Sequence, residues 1–220
     1  MKIAVILSAC GFRDGSEIHE SVLCLLAISQ KGHEAFCFAP DQDQHVVINH
    51  LTGTAVEDSR NVLVESARIA RGDIKPLDAL VCEDFDALLL PGGFGAALNL
   101  STFGLDQNKY TVIEDLNIIL KKFFKLKKII GATCIAPVIL AKVFEGLCSL
   151  KMTLGREVEM ENTLKKMGME SVQAGLSDCV SDYENKIFST PCYMESGSLS
   201  DMFIGVQKML EEMENSFLAK

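Results

Sequence analysis

The chain has 220 residues, of which 48% are hydrophobic and 23% are charged, a balance typical of a folded protein rather than a disordered one. The formal net charge of -9 argues against a nucleic-acid partner, because the phosphate backbone is also negative. The first residues lack the pattern of a signal peptide, and no apolar stretch is long enough to cross a bilayer. We therefore expect no membrane partner and a cytoplasmic location.

The eight cysteines are scattered along the chain, with no C-x-x-C pair and no Cys/His group at the spacing of a zinc site. In a chain without a secretory signal, this pattern predicts reduced thiols and no bound metal. Most of these side chains are expected to be small residues of the core.

The first forty residues predict a strand, a helix and a second strand. Residues 2–8 form an apolar run of strand length, and Ser16 is the expected N-cap of a helix that ends at Gly32. Residues 34–39 are the second strand, closed by Pro40. A strand–helix–strand unit of this length implies parallel pairing with a right-handed crossover.

The same alternation continues through the rest of the chain. Strands are predicted at residues 45–48, 86–90 and 127–133, with a hairpin of 179–181 and 186–190; helices are predicted at 59–71, 111–126, 135–144, 156–167 and 197–215. Alternating strands and helices predict a three-layer α/β sandwich with a mainly parallel central sheet, in one domain over residues 1–220. Function is then expected at the carboxyl ends of the strands.

Cys134 is the strongest candidate for chemistry, because a buried strand runs directly into a helix at this residue. This is the arrangement of a nucleophile elbow, and Pro137 suits the first turn of the following helix. The positive end of the helix would lower the pKa of the thiol and favour the thiolate. The alternative is that Cys134 only packs at the end of a strand.

Consecutive glycines follow another buried strand in the segment LPGGFG, residues 90–95. The backbone amides of Gly93 and Ile135 could together form an oxyanion hole beside Cys134. A phosphate cradle is a competing interpretation, but the segment lacks the Lys-[Ser/Thr] pair of a P-loop. A tight turn without function is the third interpretation.

Two acidic residues lie in the first turns of the predicted helix after residue 16. Glu17 and Glu20 are three residues apart and share one face. Glu17 is expected to complement the helix dipole. Glu20 lies nearer the apolar stripe, where its carboxyl group could be kept protonated and share a proton with a thiolate.

Seven segments, in order along nearly the whole chain, carry a resemblance to a known family. They are VILS (5–8), GSEIHE (15–20), VINHLTG (47–53), RNVL (60–63), LPGGFGAA (90–97), CIAP (134–137) and TPCYM (190–194). The sequence resembles the PfpI superfamily, and most closely its ElbB branch (enhancing lycopene biosynthesis protein, associated with isoprenoid biosynthesis). The resemblance implies a flavodoxin-like fold of the class I glutamine amidotransferase type, and a homodimer.

The resemblance also implies site residues and an activity. Cys134 takes the place of the elbow cysteine, Glu20 that of the glutamate hydrogen-bonded to it, and the amides of Gly93 and Ile135 match the oxyanion positions. For this branch the implied activity is that of a cofactor-independent glyoxalase acting on small aldehydes such as glyoxal and methylglyoxal.

The chain departs from the superfamily in its histidines, because residue 135 is Ile and all four histidines precede residue 51. A Cys–His–Glu triad in amidotransferase order is therefore absent, although folding could still bring His19 or His50 to the thiol. A solvent-facing position is the alternative for His19. By family analogy, Asn49, His50 and Arg60 line the pocket; surface positions explain them equally well.

Cys10 and Cys192 also follow predicted strands and are candidates to resolve an oxidised Cys134 into a disulfide. Two hypotheses of different class therefore remain open. One is a glyoxalase-type lyase that uses Cys134 as nucleophile and Glu20 as acid/base. The other is a non-catalytic redox- or stress-sensing protein associated with isoprenoid metabolism.

Overall fold

The computed structural model describes residues 1–156 and 158–219. The strands are β1 (Lys2–Ile6), β2 (Glu34–Ala39), β3 (Ile48–Asn49), β4 (Thr54–Ala55), β5 (Ile74–Pro76), β6 (Ala87–Leu90), β7 (Ile129–Thr133), β8 (Lys151–Met152), β9 (Glu170–Ser171), β10 (Val180–Asp182) and β11 (Ile187–Thr190). The α-helices are α1 (Ile18–Gln30), α2 (Val62–Ile69), α3 (Phe94–Leu98), α4 (Glu114–Lys125), α5 (Pro137–Phe144), α6 (Val158–Lys166) and α7 (Leu199–Leu218). Short 3-10 helices lie at Leu77–Ala79, Cys82–Asp84 and Cys192–Met194.

One sheet organises the described chain, with its strands in the order β10-β11-β7-β6-β1-β2-β5. The neighbouring strands pair in parallel except for the antiparallel pair of β10 and β11. The carboxyl ends of β1, β6, β7 and β11 therefore lie side by side at one edge of the sheet, which is where open α/β sheets bind ligands.

The alternation of side chains along β1 shows how the two faces of the sheet are covered. Ala4 and Ile6 belong to the apolar cluster that contains residues of α3, α4 and α5. Ile3 and Val5 point to the other face and belong to the cluster with residues of α1, α2 and α7. Because both faces are covered by helices, the central strands are apolar throughout. The prediction of a three-layer α/β sandwich with a mainly parallel sheet is confirmed.

The structure differs from the prediction in local details. The helix predicted at residues 59–71 occupies only Val62–Ile69, with Asn61 as its N-cap. Ser16 is not the N-cap of α1; Glu17 is, and the Ser16 hydroxyl instead accepts a hydrogen bond from the amide of Ser8. The strand predicted at residues 45–48 lies at Ile48–Asn49 instead. The strands β4, β5, β8 and β9 and the short helix α3 were not predicted, because elements of two to five residues are too short to show a period.

Among the residues that the structure describes, no helix is both long and apolar enough to cross a membrane.

Candidate functional site

Cys134 lies at the junction of β7 and α5, in a backbone conformation that few residues other than glycine adopt. Its φ is 57°, in the left-handed region, at a cost of roughly 1–2 kcal/mol for an L-residue. A hydrogen bond of 3.0 Å from its amide to the carbonyl of Thr190 ties this turn to the neighbouring strand β11. The residue as a whole is 8% exposed. The bend thus aims the sulfur at the carboxyl edge of the sheet, as a nucleophile elbow requires.

The two amides proposed for an oxyanion hole both lie against this sulfur. The backbone N–H groups of Gly93 and Ile135 donate hydrogen bonds to the Cys134 side chain, and both favour the thiolate. Gly93 has a φ of 101°, which glycine adopts without strain. The glycine segment therefore supplies a donor to Cys134 rather than a phosphate cradle.

Gly92 allows the loop after β6 to pack closely against Cys134 and Glu20. A Cβ at this position would lie 2.3 Å from the Cys134 Cβ and 2.6 Å from Oε2 of Glu20. The Gly92 amide donates to Glu20 Oε2 at 3.1 Å, and its carbonyl accepts from the amide of Glu17 at 2.8 Å. The loop after β6 and the start of α1 are therefore joined at this glycine.

Glu20 is a fully buried carboxyl group at the centre of the site. Besides Gly92, its donors are the hydroxyl of Thr133, at 2.9 Å from Oε2, and the amide of Tyr193, at 3.3 Å from Oε1. Burial, aided by the nearby charge of Glu17, raises the pKa of Glu20 to about 7, although the hydrogen bonds oppose the shift. A carboxyl group with this pKa can both accept and release a proton at neutral pH.

Glu20 and Cys134 are hydrogen bonded to each other through their side chains. The expectation of a lowered thiol pKa is wrong: burial, followed by the charge of Glu20, raises the pKa of Cys134 well above its ordinary value. The helix terminus and the two amides do not outweigh removal of the thiolate from water and the presence of a carboxylate. The two groups titrate as a pair, so a reactive thiolate requires that Glu20 take the proton.

Glu17 and His19 occupy the first part of α1 but do not touch the sulfur. Glu17 is the N-cap, and its Oε2 accepts a hydrogen bond of 2.7 Å from the amide of Glu20. His19 is exposed, and its Nδ1 lies 2.7 Å from the hydroxyl of Tyr193. Glu17 therefore orients the turn that carries Glu20, whereas the side chain of His19 contacts that of Tyr193.

Four other residues that were predicted for the site lie in different surroundings, and the first two are Asn49 and His50. Asn49 closes the hairpin turn after β3 by accepting hydrogen bonds from the amides of Leu51 and Thr52. His50 packs edge-on against the ring of Phe12, with 5.5 Å between ring centroids. Their contacts thus lie within the turn after β3 and against the loop that joins β1 to α1.

Arg60 and Cys10 lie near α2. Arg60 is exposed and pairs with Asp58 at 3.1 Å. Burial and the charge of Glu65 raise the pKa of Cys10, which also lies within the field of Arg68. Cys10 was expected to lie beside Cys134, but the structure shows no contact between the two residues. The chain turns toward α2 after β1.

Cys192 does lie at the site. It is fully buried, also has a left-handed φ (45°), and its side chain is hydrogen bonded to that of Thr133. Burial raises its pKa well above the ordinary value, and the nearby Glu20 and Cys134 add to that shift. Sequence reasoning did not identify Thr133 or Tyr193 as donors to Glu20; the available signal was that Thr133 ends β7 and Tyr193 follows β11.

Within residues 1–156 and 158–219, no three His, Cys, Asp or Glu side chains are grouped so as to hold a metal ion. The site described above consists of one thiol, one carboxyl group and backbone or hydroxyl donors. This donor set suits nucleophilic and acid/base chemistry.

The chain is similar in sequence to known proteins. The chain is 41% identical over 222 residues to the human "Glutamine amidotransferase-like class 1 domain-containing protein 3, mitochondrial", covering 96% of this chain and 82% of that protein. It is 40% identical, with the same coverage, to the "ES1 protein homolog, mitochondrial" of Rattus norvegicus. No family model matches the chain.

Solved structures support the same relationship. An isoprenoid biosynthesis protein with an amidotransferase-like domain from Ehrlichia chaffeensis has a TM-score of 0.91 and 36% identity, covering 98% of this chain and 99% of that one. DJ-1beta of Drosophila melanogaster has a TM-score of 0.55 at 15% identity, covering 99% and 96% of the two chains, and shares the fold. The resemblance to the PfpI superfamily is thus supported at the level of the fold.

The predicted cytoplasmic location is contradicted, because the human and rat relatives are named mitochondrial proteins. Scattered, reduced cysteines argue against an oxidising compartment but do not distinguish among the others. The identity and coverage of the relatives are high enough to assign the chain, which belongs to the ES1 family of glutamine amidotransferase-like class 1 domain proteins.

Proposed function

We propose that this protein is a cofactor-independent enzyme of the glyoxalase type, which converts small 2-oxoaldehydes such as methylglyoxal into 2-hydroxy acids. The observation that carries the proposal is the buried, hydrogen-bonded pair of Cys134 and Glu20, with two backbone amides on the sulfur. The family resemblance supplies the substrate class, and the site supplies a nucleophile and an acid/base group.

The first step forms a bond between sulfur and carbon. Glu20 accepts the thiol proton as the Cys134 sulfur attacks the aldehyde carbon, and the carbonyl electron pair moves to oxygen. The amides of Gly93 and Ile135 stabilise the oxyanion. Glu20 then returns its proton to that oxygen, which gives a neutral hemithioacetal and a carboxylate.

The second step moves a proton between neighbouring carbons. The carboxylate of Glu20 removes the hydrogen on the sulfur-bearing carbon, which gives an enediolate, and then delivers that proton to the adjacent carbon. The hydroxyl proton on the sulfur-bearing carbon passes to the neighbouring oxygen, so that a carbonyl forms beside the sulfur and a hydroxyl on the second carbon. The product is a thioester of the 2-hydroxy acid on Cys134. A pKa of about 7 suits Glu20 for both directions of transfer.

The third step releases the product. Water attacks the thioester carbon, the carbon–sulfur bond breaks, and the sulfur regains a proton. The sum of the steps adds one water to the oxoaldehyde to give the hydroxy acid, so the reaction needs no external oxidant or reductant.

The test is formation of lactate from methylglyoxal by the purified protein without glutathione. The variants Cys134→Ser and Glu20→Gln should each reduce the rate by at least about 100-fold, because they remove the nucleophile and the proton carrier. Cys148→Ser is the matched control, since this half-buried thiol lies beyond α5. Equal rates in the wild type and Cys134→Ser would reject the proposal.

A second candidate function is redox sensing, which the burial of Cys192 within the field of Cys134 favours. A peroxide would oxidise the Cys134 thiolate to a sulfenic acid, and the Cys192 thiol would condense with it, forming a disulfide and releasing water. Mass spectrometry after peroxide treatment should then show a Cys134–Cys192 disulfide that is absent in Cys192→Ser. An over-oxidised Cys134 without that disulfide would reject this function.

A further inference from the structure

A cavity of about 660 Å³ lies beside the Glu20 site, on the side of the segment that follows β11. Its lining residues are Arg156, Tyr193, Met194, Glu195, Ser196 and Gly197. Tyr193 is common to the cavity and the site, because it lines the cavity and its amide donates to Glu20 Oε1 at 3.3 Å. The volume is in the range of small-molecule sites and exceeds what a three-carbon aldehyde fills.

Arg156 supplies the positive charge among the lining residues. It follows β8, and its backbone amide donates a hydrogen bond of 2.6 Å to Oε1 of Glu195, which ties the two walls of the cavity together. Among the described residues, no carboxylate lies within 4 Å of its guanidinium. Asp178, across Gly175 from Arg156, is 3.5 Å from the ammonium of Lys208 and accepts from the Gly175 amide at 3.0 Å.

We propose that Arg156 binds an anionic group of the substrate, so that the preferred substrates carry a carboxylate or phosphate at the end remote from the reacting aldehyde. The inference rests on the proposed function, because it names the substrate class of the same site. An arginine fork matches both anions and holds them by charge-assisted hydrogen bonds. With a net charge of -9, the protein repels anions in general, so a local cation is needed to admit one.

Glu195 provides an internal check of this assignment. Its carboxylate lines the same cavity and opposes an incoming anion, while Oε1 accepts the hydrogen bond from the amide of Arg156. Replacing Glu195 with glutamine retains an acceptor oxygen and removes the charge. Glu195→Gln should therefore act in the opposite direction to Arg156→Gln on every measure of anion binding.

The first experiment does not depend on glyoxalase activity. The full-length protein is alkylated with iodoacetate, an anion, or with iodoacetamide, which is neutral, and the Cys134 peptide is quantified by mass spectrometry. The ratio of the two rates should fall about fivefold in Arg156→Gln, as expected for loss of one charge near the reagent, and rise in Glu195→Gln. Lys125→Gln, an exposed lysine on α4, controls for net charge and should leave the ratio unchanged.

The second experiment compares a carboxylate-bearing oxoaldehyde, 4,5-dioxopentanoate, with methylglyoxal. Arg156→Gln should raise KM for the former about fivefold or more with little effect on kcat, leave methylglyoxal unchanged, and be partly rescued by Arg156→Lys. Succinate and inorganic phosphate, added as competitors of alkylation, distinguish the two anions.

The possible results separate the two proposals. An iodoacetate-to-iodoacetamide ratio that is the same in the wild type, Arg156→Gln and Glu195→Gln would overturn the anion site. A ratio that changes as expected, with no hydroxy acid from either aldehyde, would support the anion site and reject the glyoxalase reaction.

Discussion

The buried carboxyl group of Glu20 should make the stability of the protein depend on pH in a way that Glu20→Gln removes. Burial raises its pKa from 4.5 to about 7, so the folded protein holds this proton more tightly than the unfolded chain does. The contribution to stability is therefore fully present below about pH 4.5 and is lost as the pH rises toward about 7.

The magnitude follows from the two pKa values. The difference between 4.5 and about 7, at about 1.4 kcal/mol for each pH unit, amounts to about 3 kcal/mol. Screening by solvent does not reduce this free energy, because Glu20 is 0% exposed. That is a large fraction of the roughly 5–15 kcal/mol by which folded proteins are stable.

The assay is urea unfolding of wild type and Glu20→Gln from about pH 4.5 to about pH 8, followed by circular dichroism because the chain has no tryptophan. Glu20→Gln should lower the free energy of unfolding by the same amount at every pH, since an amide cannot accept from all the donors around Glu20. The difference in unfolding free energy, wild type minus variant, should fall by about 3 kcal/mol across this range. Parallel curves for the two proteins would refute the reasoning.

Two further changes test the surroundings of the pair, and a third tests the packing at the opposite end of β7. Thr133→Val removes a hydroxyl donor that lowers the pKa of Glu20, so the pH dependence of stability should shift upward by roughly half to one pH unit. Gly92→Ala places a Cβ 2.3 Å from that of Cys134 and should abolish activity and cost about 1–3 kcal/mol in urea unfolding. Lys128→Met removes an ammonium that donates to three backbone carbonyls and should cost about 2 kcal/mol without changing activity.

Each change has a control or a contradicting outcome. Gly146→Ala meets open space at a φ of 74° and should show backbone strain with full activity, which separates strain from the clash at Gly92. Lys125→Met on the exposed face of α4 should be neutral to within about 0.5 kcal/mol. A downward shift in the pH dependence of Thr133→Val would show that the hydroxyl does not stabilise the carboxylate.

Much of the fold was predictable because its signals are local. The apolar runs of β1, β6 and β7 are long enough to be recognised as buried strands, and the helices between them show a clear period. The edge elements were not predictable in this way, because β5, β8 and β9 are short and owe their pairing to distant partners.

The candidate site was likewise predictable from the sequence only in part. The elbow at Cys134 follows from a strand that runs into a helix, which is visible in the sequence, and so is the glycine pair after β6. The amide of Tyr193 on Glu20 depends on the position of β11 beside β7, which local sequence does not specify. Cys10 and Cys192 have similar sequence settings, yet only Cys192 lies at the site.

The sequence by itself determined the alternation of the main strands and helices, the bend that presents Cys134, and the residue types available for acid/base chemistry. Tertiary structure decided the protonation of the site, because burial and a neighbouring carboxylate raise the pKa of the thiol where the helix terminus alone would lower it. It also brought Arg156 into the cavity beside Tyr193. Both outcomes depend on exclusion of water and on distances between residues far apart in the chain, which only the packed sheet establishes.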